Sequence, residues 1–313
     1  MTARVFAAGL LGLLGLLGSI SLSTHVMAQT PLPTPTVPQA QAADQRQGAY
    51  VDLNGAKIFY QIAGQGTPLI LIHGFPLSGQ LFQSQLAGLS NQFQVITPDL
   101  RGFGKSTAPN ASGSIQAYAQ DIVALMDHLG IKKAIIGGHS MGGQITLELY
   151  RERPDLFLGM VLIDTNAMPA TVVEQAQWPA FGVQAQALGV PSIVPTITPQ
   201  MLTGIERLLN PVPTLEMMDI LAEGSLNGVK GGGQALATRL DYTPLLPTIK
   251  VPALVVVGLD DPIYPLEVSE MMKAAIPKAR LVIIPSAEHA SIYEQPGYAN
   301  FTIAQWAATL PAQ

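Results

Sequence analysis

The most reactive pattern in the chain is a serine set between two glycines. The run Gly138-His139-Ser140-Met141-Gly142 matches G-x-S-x-G and joins an apolar segment to an amphipathic one. A sharp turn between a strand and a helix lifts such a serine above the end of a sheet, and the helix N-terminus favours negative charge there. The pattern therefore predicts that Ser140 is a nucleophile, whereas the alternative interpretation is an ordinary glycine-rich turn.

A serine hydroxyl attacks only when a base takes its proton, so a histidine must lie nearby in the fold. Four histidines follow the N-terminal segment. Three of them are weaker candidates for the base. His139 belongs to the turn itself, and His73 is the last residue of a predicted strand. His128 lies in the last turn of a predicted helix, where solvated histidines are common. His289 follows the last predicted strand and is the predicted general base.

The base in turn needs a carboxylate that holds its tautomer and stabilises the imidazolium. Asp261 follows the penultimate predicted strand, in the run Gly258-Leu259-Asp260-Asp261-Pro262. We expect its side chain on a loop at the carboxyl ends of the strands. Asp260 and, more weakly, Asp164 are alternative candidates for this role.

These side chains require a scaffold, and from Tyr50 onward short β-rich runs alternate with helical patterns. That alternation predicts an α/β fold with a mostly parallel central sheet and helices on both faces. Asn54-Gly55 predicts a hairpin turn between the first two strands. Further strands are predicted from apolar runs at Pro68–His73, Phe93–Thr97, Ala134–His139, Met160–Asp164, Ala253–Gly258 and Leu281–Pro285. Helices are predicted over Ser114–Gly130, Met141–Arg153 and Asn300–Leu310.

The stretch from Thr165 to about Thr248 interrupts this alternation. It carries many prolines and the run Gly231-Gly232-Gly233, with helical pieces between them and no strand signal. Because about eighty residues are too many for an ordinary connection, we expect a helical insertion that forms a lid over the carboxyl ends of the strands. The alternative is a separate small domain. Some apolar side chains of the insertion should line a pocket, and the predicted substrate-binding residues are Trp178, Phe181 and Met201.

The N-terminus is predicted to be an export signal rather than part of the fold. One charge, Arg4, precedes an apolar run from Val5 to Ile20, and Val26-Met27-Ala28 offers the small residues that a signal peptidase accepts. We therefore predict a signal peptide over residues 1–28, cleaved after its last residue, and a Pro/Thr-rich disordered linker over 29–47. The protein would be periplasmic or secreted by a bacterium. The alternative is a retained transmembrane anchor, and only then would the membrane be a partner.

Composition excludes several other classes of protein. Of the 313 residues, 48% are hydrophobic and 12% are charged, which excludes a disordered chain. The chain has no Cys, so a disulfide scaffold, a thiolate metal site and a Cys nucleophile are excluded. A formal net charge of −5 without a basic run argues against nucleic acid as a partner.

Residues from about 49 to 310 resemble the α/β-hydrolase fold superfamily, in its branch of lid-bearing, cofactor-free serine hydrolases. The similar features are His73-Gly74-Phe75-Pro76, the DLRGFGKS stretch from Asp99 to Ser106, the GGHSMGG turn, and the loops of Asp261 and His289. The resemblance implies one α/β-hydrolase domain over residues 48–313. In the family the DLRGFGKS stretch is mainly structural, which leaves Asp99 and Arg101 outside the catalytic set.

The resemblance also implies specific roles. It implies a triad of Ser140, Asp261 and His289, and an oxyanion hole formed by the backbone N–H groups of Phe75 and Met141. It implies no metal and no organic cofactor. Similar sequences with Asp at the nucleophile position include epoxide hydrolases and haloalkane dehalogenases. Because this chain has Ser140 at that position, the resemblance argues against those two activities.

The predicted function is hydrolysis of a small-to-medium, neutral, largely apolar carboxylic ester through an acyl-enzyme intermediate. The region from Thr165 to Asp241 contains six acids and three bases, which disfavours strongly anionic substrates. The alternatives are a cofactor-free perhydrolase or haloperoxidase-like enzyme, a lactonase or a C–C bond hydrolase. A more remote alternative is a ligand-binding protein without turnover. The partner expected is a small-molecule ester, and the oligomeric state is left open.

Overall fold

Eight strands form one sheet in the computed structural model, which describes residues 47–111 and 113–311. The strands are β1 Gln47–Leu53, β2 Ala56–Ala63, β3 Thr67–Ile72, β4 Phe93–Pro98, β5 Ala134–His139, β6 Phe157–Ile163, β7 Ala253–Gly258 and β8 Ala279–Ile284. Their order is β1-β2-β4-β3-β5-β6-β7-β8, antiparallel from β1 to β4 and parallel from β4 onward. The predicted mostly parallel α/β sheet is confirmed. The predicted signal segment (1–28) and the predicted linker up to residue 46 lie outside the described residues.

Helices cover both faces of the sheet. The α-helices are α1 Gln83–Leu89, α2 Ile115–His128, α3 Met141–Glu152, α4 Val172–Leu188, α5 Val194–Met201, α6 Gly204–Leu209, α7 Pro211–Ala222, α8 Leu226–Ala237, α9 Leu266–Ala275, α10 Ser291–Glu294 and α11 Pro296–Ala307. Short 3₁₀ helices lie at Gly79–Phe82, Pro154–Leu156, Val190–Ile193 and Thr243–Thr248. Every residue of β5 and β7 is buried, which requires packing on both sides because successive side chains point to opposite faces. Among the described residues, no helix is long and apolar enough to cross a bilayer.

Local signals account for several element ends. Asn54 and Gly55 have φ values of 48° and 77°, as the predicted hairpin turn requires. The Ser114 hydroxyl accepts a hydrogen bond from the Ala117 amide at 3.0 Å and so caps α2. The last helix begins at Pro296, four residues earlier than predicted, because a proline in the first helical turn loses no hydrogen bond.

The insertion between β6 and β7 contains α4 to α8 and, within the described residues, no strand. Its glycine run departs from the prediction, since Gly231–Gly233 lies inside α8 instead of separating helical pieces. A Cβ on Gly232 would lie 2.7 Å from the Phe75 ring, and one on Gly233 would lie 2.6 Å from the Trp178 carbonyl oxygen. The missing side chains therefore allow α8 to pack directly against both residues.

Candidate active site

Ser140 occupies a tight turn between β5 and α3. Its φ of 53° and ψ of −118° lie outside the regions that most residues other than glycine adopt. A Cβ on Gly138 would lie 2.1 Å from the Gly142 carbonyl carbon, and one on Gly142 would lie 2.0 Å from the Ile72 oxygen. The Ser140 amide donates to the Ile163 carbonyl at 2.9 Å. The strained serine is thus held by close backbone packing and by the end of β6.

His289 and Asp261 form a buried pair. The distance between His289 Nδ1 and Asp261 Oδ2 is 2.9 Å, and Asp261 Oδ1 accepts from the Ile263 and Tyr264 amides at 2.8 and 3.0 Å. Burial alone would raise the pKa of Asp261, but His289 and the two amides outweigh it and hold that pKa below its usual value. Burial acts to lower the pKa of His289, yet the adjacent Asp261 leaves it raised overall. The alternative candidate Asp260 is exposed.

Ser140 and His289 line the same small cavity at the carboxyl ends of the strands. The cavity volume is about 30 Å³, which is space for one or two water molecules. The described hydrogen bonds of His289 are to Asp261 and His139, and none joins its imidazole to the Ser140 hydroxyl. Catalytic hydrogen bonds are often long in unliganded enzymes and shorten when a substrate binds.

Two backbone amides lie beside the Ser140 side chain. A Cβ on Gly74 would lie 2.8 Å from Ser140 Cβ, so the chain segment that ends in Phe75 passes directly over the serine. Met141 follows the serine and begins α3. Among the described backbone hydrogen bonds, neither the Phe75 N–H nor the Met141 N–H donates to a protein acceptor.

The other histidines have structural surroundings. His73 Nε2 accepts from the Leu100 amide at 2.9 Å and Nδ1 donates to the Gly74 carbonyl at 2.8 Å, while burial lowers its pKa to about 4. His139 Nε2 donates to the His289 carbonyl oxygen at 2.6 Å, and burial lowers its pKa to about 3. His128 is exposed. In the described part of the chain, no cluster of three or more His, Asp or Glu side chains could hold a metal ion.

Helices α4 and α5 of the insertion form one wall of the cavity. The predicted binding residues Trp178 and Phe181 from α4 and Met201 from α5 all line it. The Phe75 ring lies 6.0 Å from the rings of both Trp178 and Phe181. Sequence reasoning missed five further lining residues, which are Gln177, Ile197, Gln200, Leu236 and Ile263. A search one helical turn back from Phe181 and from Met201 would have found the first two of these.

The DLRGFGKS stretch has bonds typical of a structural turn. Asp99 accepts from the Gly79 amide at 2.7 Å and from the Lys105 amide at 2.8 Å. Arg101 makes two hydrogen bonds of 2.6 Å to the buried Asp121 carboxylate. Neither Asp99 nor Arg101 lines the cavity of Ser140.

Residues 67–296 match the protein family described as alpha/beta hydrolase fold. The chain belongs to that family. This α/β hydrolase is also 28% identical over 256 residues to the AB hydrolase superfamily protein YisY of Bacillus subtilis (strain 168), a match that covers 80% of this chain and 94% of the relative.

Two solved structures extend the comparison. A thermophilic esterase from Thermogutta terrifontis superposes with a TM-score of 0.80 and 31% identity, covering 84% of this α/β hydrolase and 98% of the esterase. An enol-lactonase from Burkholderia xenovorans LB400 superposes with a TM-score of 0.78 and 27% identity, covering 83% and 100% of the two chains. The fold and family of this chain are therefore those of hydrolases that include an esterase and a lactonase.

Proposed function

We propose that this α/β hydrolase cleaves carboxylic esters through an acyl-enzyme on Ser140. The observation that carries the proposal is the arrangement around one cavity, which Ser140 and His289 line together. His289 is bound through Nδ1 to the Asp261 carboxylate at 2.9 Å. Because that bond keeps the proton on Nδ1, Nε2 is the nitrogen that accepts a proton from the serine.

The reaction has two balanced halves. Ser140 Oγ attacks the ester carbonyl carbon while its proton moves to His289, and the oxyanion accepts hydrogen bonds from the Phe75 and Met141 amides. The C–O bond to the alcohol then breaks, and the alcohol leaves with the proton from His289. Water attacks the acyl group with the same histidine as base, and the acid is released as Ser140 regains its proton. Asp261 stabilises the imidazolium in both halves.

The lining of this site favours a neutral ester with a small, largely apolar acyl group as substrate. Aromatic rings of Phe75, Trp178 and Phe181 surround the nucleophile, and the cavity volume is about 30 Å³. Because this volume holds only one or two water molecules, any ester requires α4 and α5 to move away from the sheet, so we propose that this part of the insertion acts as a lid. Gln177 and Gln200 are the polar groups of the wall and suit the uncharged oxygens of an ester.

A lactone is the second candidate substrate. A lactone is an internal ester, so the same attack opens the ring and no separate alcohol leaves. The resemblance to the enol-lactonase from Burkholderia xenovorans, at a TM-score of 0.78 and 27% identity, supports this candidate.

The test is a panel of p-nitrophenyl acyl esters, simple lactones and amides, assayed with the wild type and with Ser140→Ala. We expect turnover of short acyl esters, covalent labelling by a fluorophosphonate, and loss of both in the variant. Ser269→Ala is the matched control, because Ser269 is a buried serine that lies in α9 and does not line the cavity. Ester turnover that survives in Ser140→Ala would contradict the proposal.

We also propose that the protein is exported and that residues 1–28 are removed. The single Arg4, the apolar run from Val5 to Ile20 and the small residues before Gln29 support this. Mass spectrometry of the protein from fractionated bacteria should find a mature chain that starts at Gln29 in the periplasm or medium. Full-length protein in the membrane fraction would instead indicate an anchor.

A further inference from the structure

Three consecutive residues at the end of β6 contact the loops that carry all three proposed catalytic side chains. They are Ile163, Asp164 and Thr165. Two of them hold the nucleophile by its own backbone. The Ile163 carbonyl accepts from the Ser140 amide at 2.9 Å, and the Thr165 hydroxyl donates to the Ser140 carbonyl at 2.6 Å. The turn that carries the serine is thereby tied to the end of β6 from both sides.

The residue between them, Asp164, joins the other two loops through its side chain. Its Oδ1 accepts from the Gly258 amide at 2.8 Å, three residues before Asp261. Its Oδ2 accepts from the Ser291 amide at 3.1 Å and from the Ser291 hydroxyl at 2.7 Å, two residues after His289. The Asp164 carboxyl group therefore bonds both to the start of the loop that carries Asp261 and to the end of the loop that carries His289.

Within the described part of the chain, no Lys or Arg side chain bonds to the buried Asp164 carboxyl group. Asp164 is 0% exposed, and the titratable side chains that face it are His139, Asp261 and His289. His139 Nε2 lies 4.0 Å away and uses its proton on the His289 carbonyl oxygen. Burial, together with the negative Asp261, raises the pKa of Asp164 to about 8. Burying such a group is costly unless its hydrogen bonds offset the cost, and all of these bonds go to the two loops.

We propose that Asp164 is a positioning residue, which sets the placement of Asp261 and His289 relative to each other and to Ser140. This inference rests on the proposed hydrolase function. Asp164 does not bind the imidazole, so it is not the triad acid; it acts through the backbones that carry the acid and the base. Displacement of a catalytic group by about 1 Å can cost 10²-fold in rate, so the effect should appear in catalysis.

The test compares Asp164→Ala, Asp164→Asn and Ser291→Ala with the wild type. Asp164→Asn keeps one acceptor oxygen but turns an NH₂ group toward one of the two loops, and Ser291→Ala removes only one of the three bonds. We expect kcat to fall by about 100-fold in Asp164→Ala and by about 5-fold in Ser291→Ala, with Asp164→Asn between them and KM nearly unchanged. Rates are normalised to the folded fraction measured by circular dichroism.

The matched control is Asp121→Asn. Asp121 is also a buried carboxylate at 3% exposure, but it binds Arg101 and Asn54 away from the cavity. We expect this variant to lose stability while its folded fraction keeps the wild-type kcat. An equal loss of kcat in Asp121→Asn and Asp164→Asn would overturn the proposal.

A second measurement does not depend on turnover. In Ser291→Ala, which keeps the Asp164 carboxyl group and so its direct effect on the imidazole, the bond from His289 Nδ1 to Asp261 should weaken, and the pKa of His289, followed by NMR, should fall toward its ordinary value. Folded variants with a wild-type kcat and a wild-type His289 titration would overturn the positioning role. If Asp164→Ala does not fold, Ser291→Ala decides by the same two measurements. A wild type that turns over no ester or lactone would refute the proposed function, whereas the NMR titration would still test the role of Asp164.

Discussion

The His289 imidazole and the Asp261 carboxylate meet at 2.9 Å in the interior of the protein, although the two residues lie on loops after different strands. Asp261 and His289 are only 4% and 1% exposed. Because water is excluded, the bond determines which imidazole nitrogen carries the proton. His289 also lines the cavity that Ser140 lines.

Asp261→Asn should reduce kcat on a p-nitrophenyl ester by about 10⁴-fold, because an amide at this position favours the wrong imidazole tautomer. Asp260→Asn is the matched control, since the adjacent Asp260 is exposed and makes no bond to His289. It should keep the wild-type kcat. A large loss in Asp260→Asn, or normal kcat in Asp261→Asn, would reassign the acid.

Activity should rise with pH through the pKa of His289. The base must be neutral to accept the serine proton, and Asp261 keeps its pKa above the ordinary value of 6.5, so the imidazole stays protonated to a higher pH. The acid limb of kcat/KM against pH should therefore have its midpoint above 6.5. In Asp261→Asn the midpoint should move to lower pH, because the stabilising charge is gone. A wild-type midpoint at or below 6.5 would contradict the electrostatic argument.

Phe181→Ala should shift the preference toward longer acyl chains. The Phe181 ring is buried in the cavity wall against Phe75 and Trp178, so its removal enlarges the space beside Ser140. The ratio of kcat/KM for octanoyl to acetyl esters should rise by about 10-fold, the value of one or two buried methylenes. Val183→Ala on the same helix is the control, because Val183 is 71% exposed and does not line the cavity. An unchanged ratio in Phe181→Ala would place the acyl pocket elsewhere.

Gly142→Ala should destabilise the fold. A Cβ there would lie 2.0 Å from the Ile72 carbonyl oxygen and 2.8 Å from the His73 carbonyl oxygen, and these are backbone atoms at the buried end of β3, which cannot move aside as a flexible side chain would. We expect a loss of about 3 kcal/mol in the free energy of unfolding. Gly297→Ala in α11 is the control, since its Cβ would meet nothing within 4 Å, and it should be neutral or stabilising by up to about 1 kcal/mol. Urea unfolding of both variants checks the difference.

Local features of the fold could be predicted because each depends on a few neighbouring residues. Asn54-Gly55 determines a hairpin, Ser114 caps a helix, and the apolar run at Ala134–His139 forms a strand covered on both faces. The turn around Ser140 belongs to the same class, because only glycines at its flanks permit the close backbone approach. Chain order and turn chemistry were therefore sufficient for the α/β sheet and for the candidate nucleophile.

Other features depended on distances between loops that are far apart in sequence. Asp164 and Asp261 both follow parallel strands, and the sequence favoured Asp261 as the partner of His289 but left Asp164 open. The fold directs Asp261 to the imidazole and Asp164 to the backbones of Gly258 and Ser291. Gly231–Gly233 resembles a break in sequence but lies within α8, because tight packing against neighbours favours residues without side chains. Side-chain direction and close packing are properties of the assembled chain, so only the tertiary structure decided them.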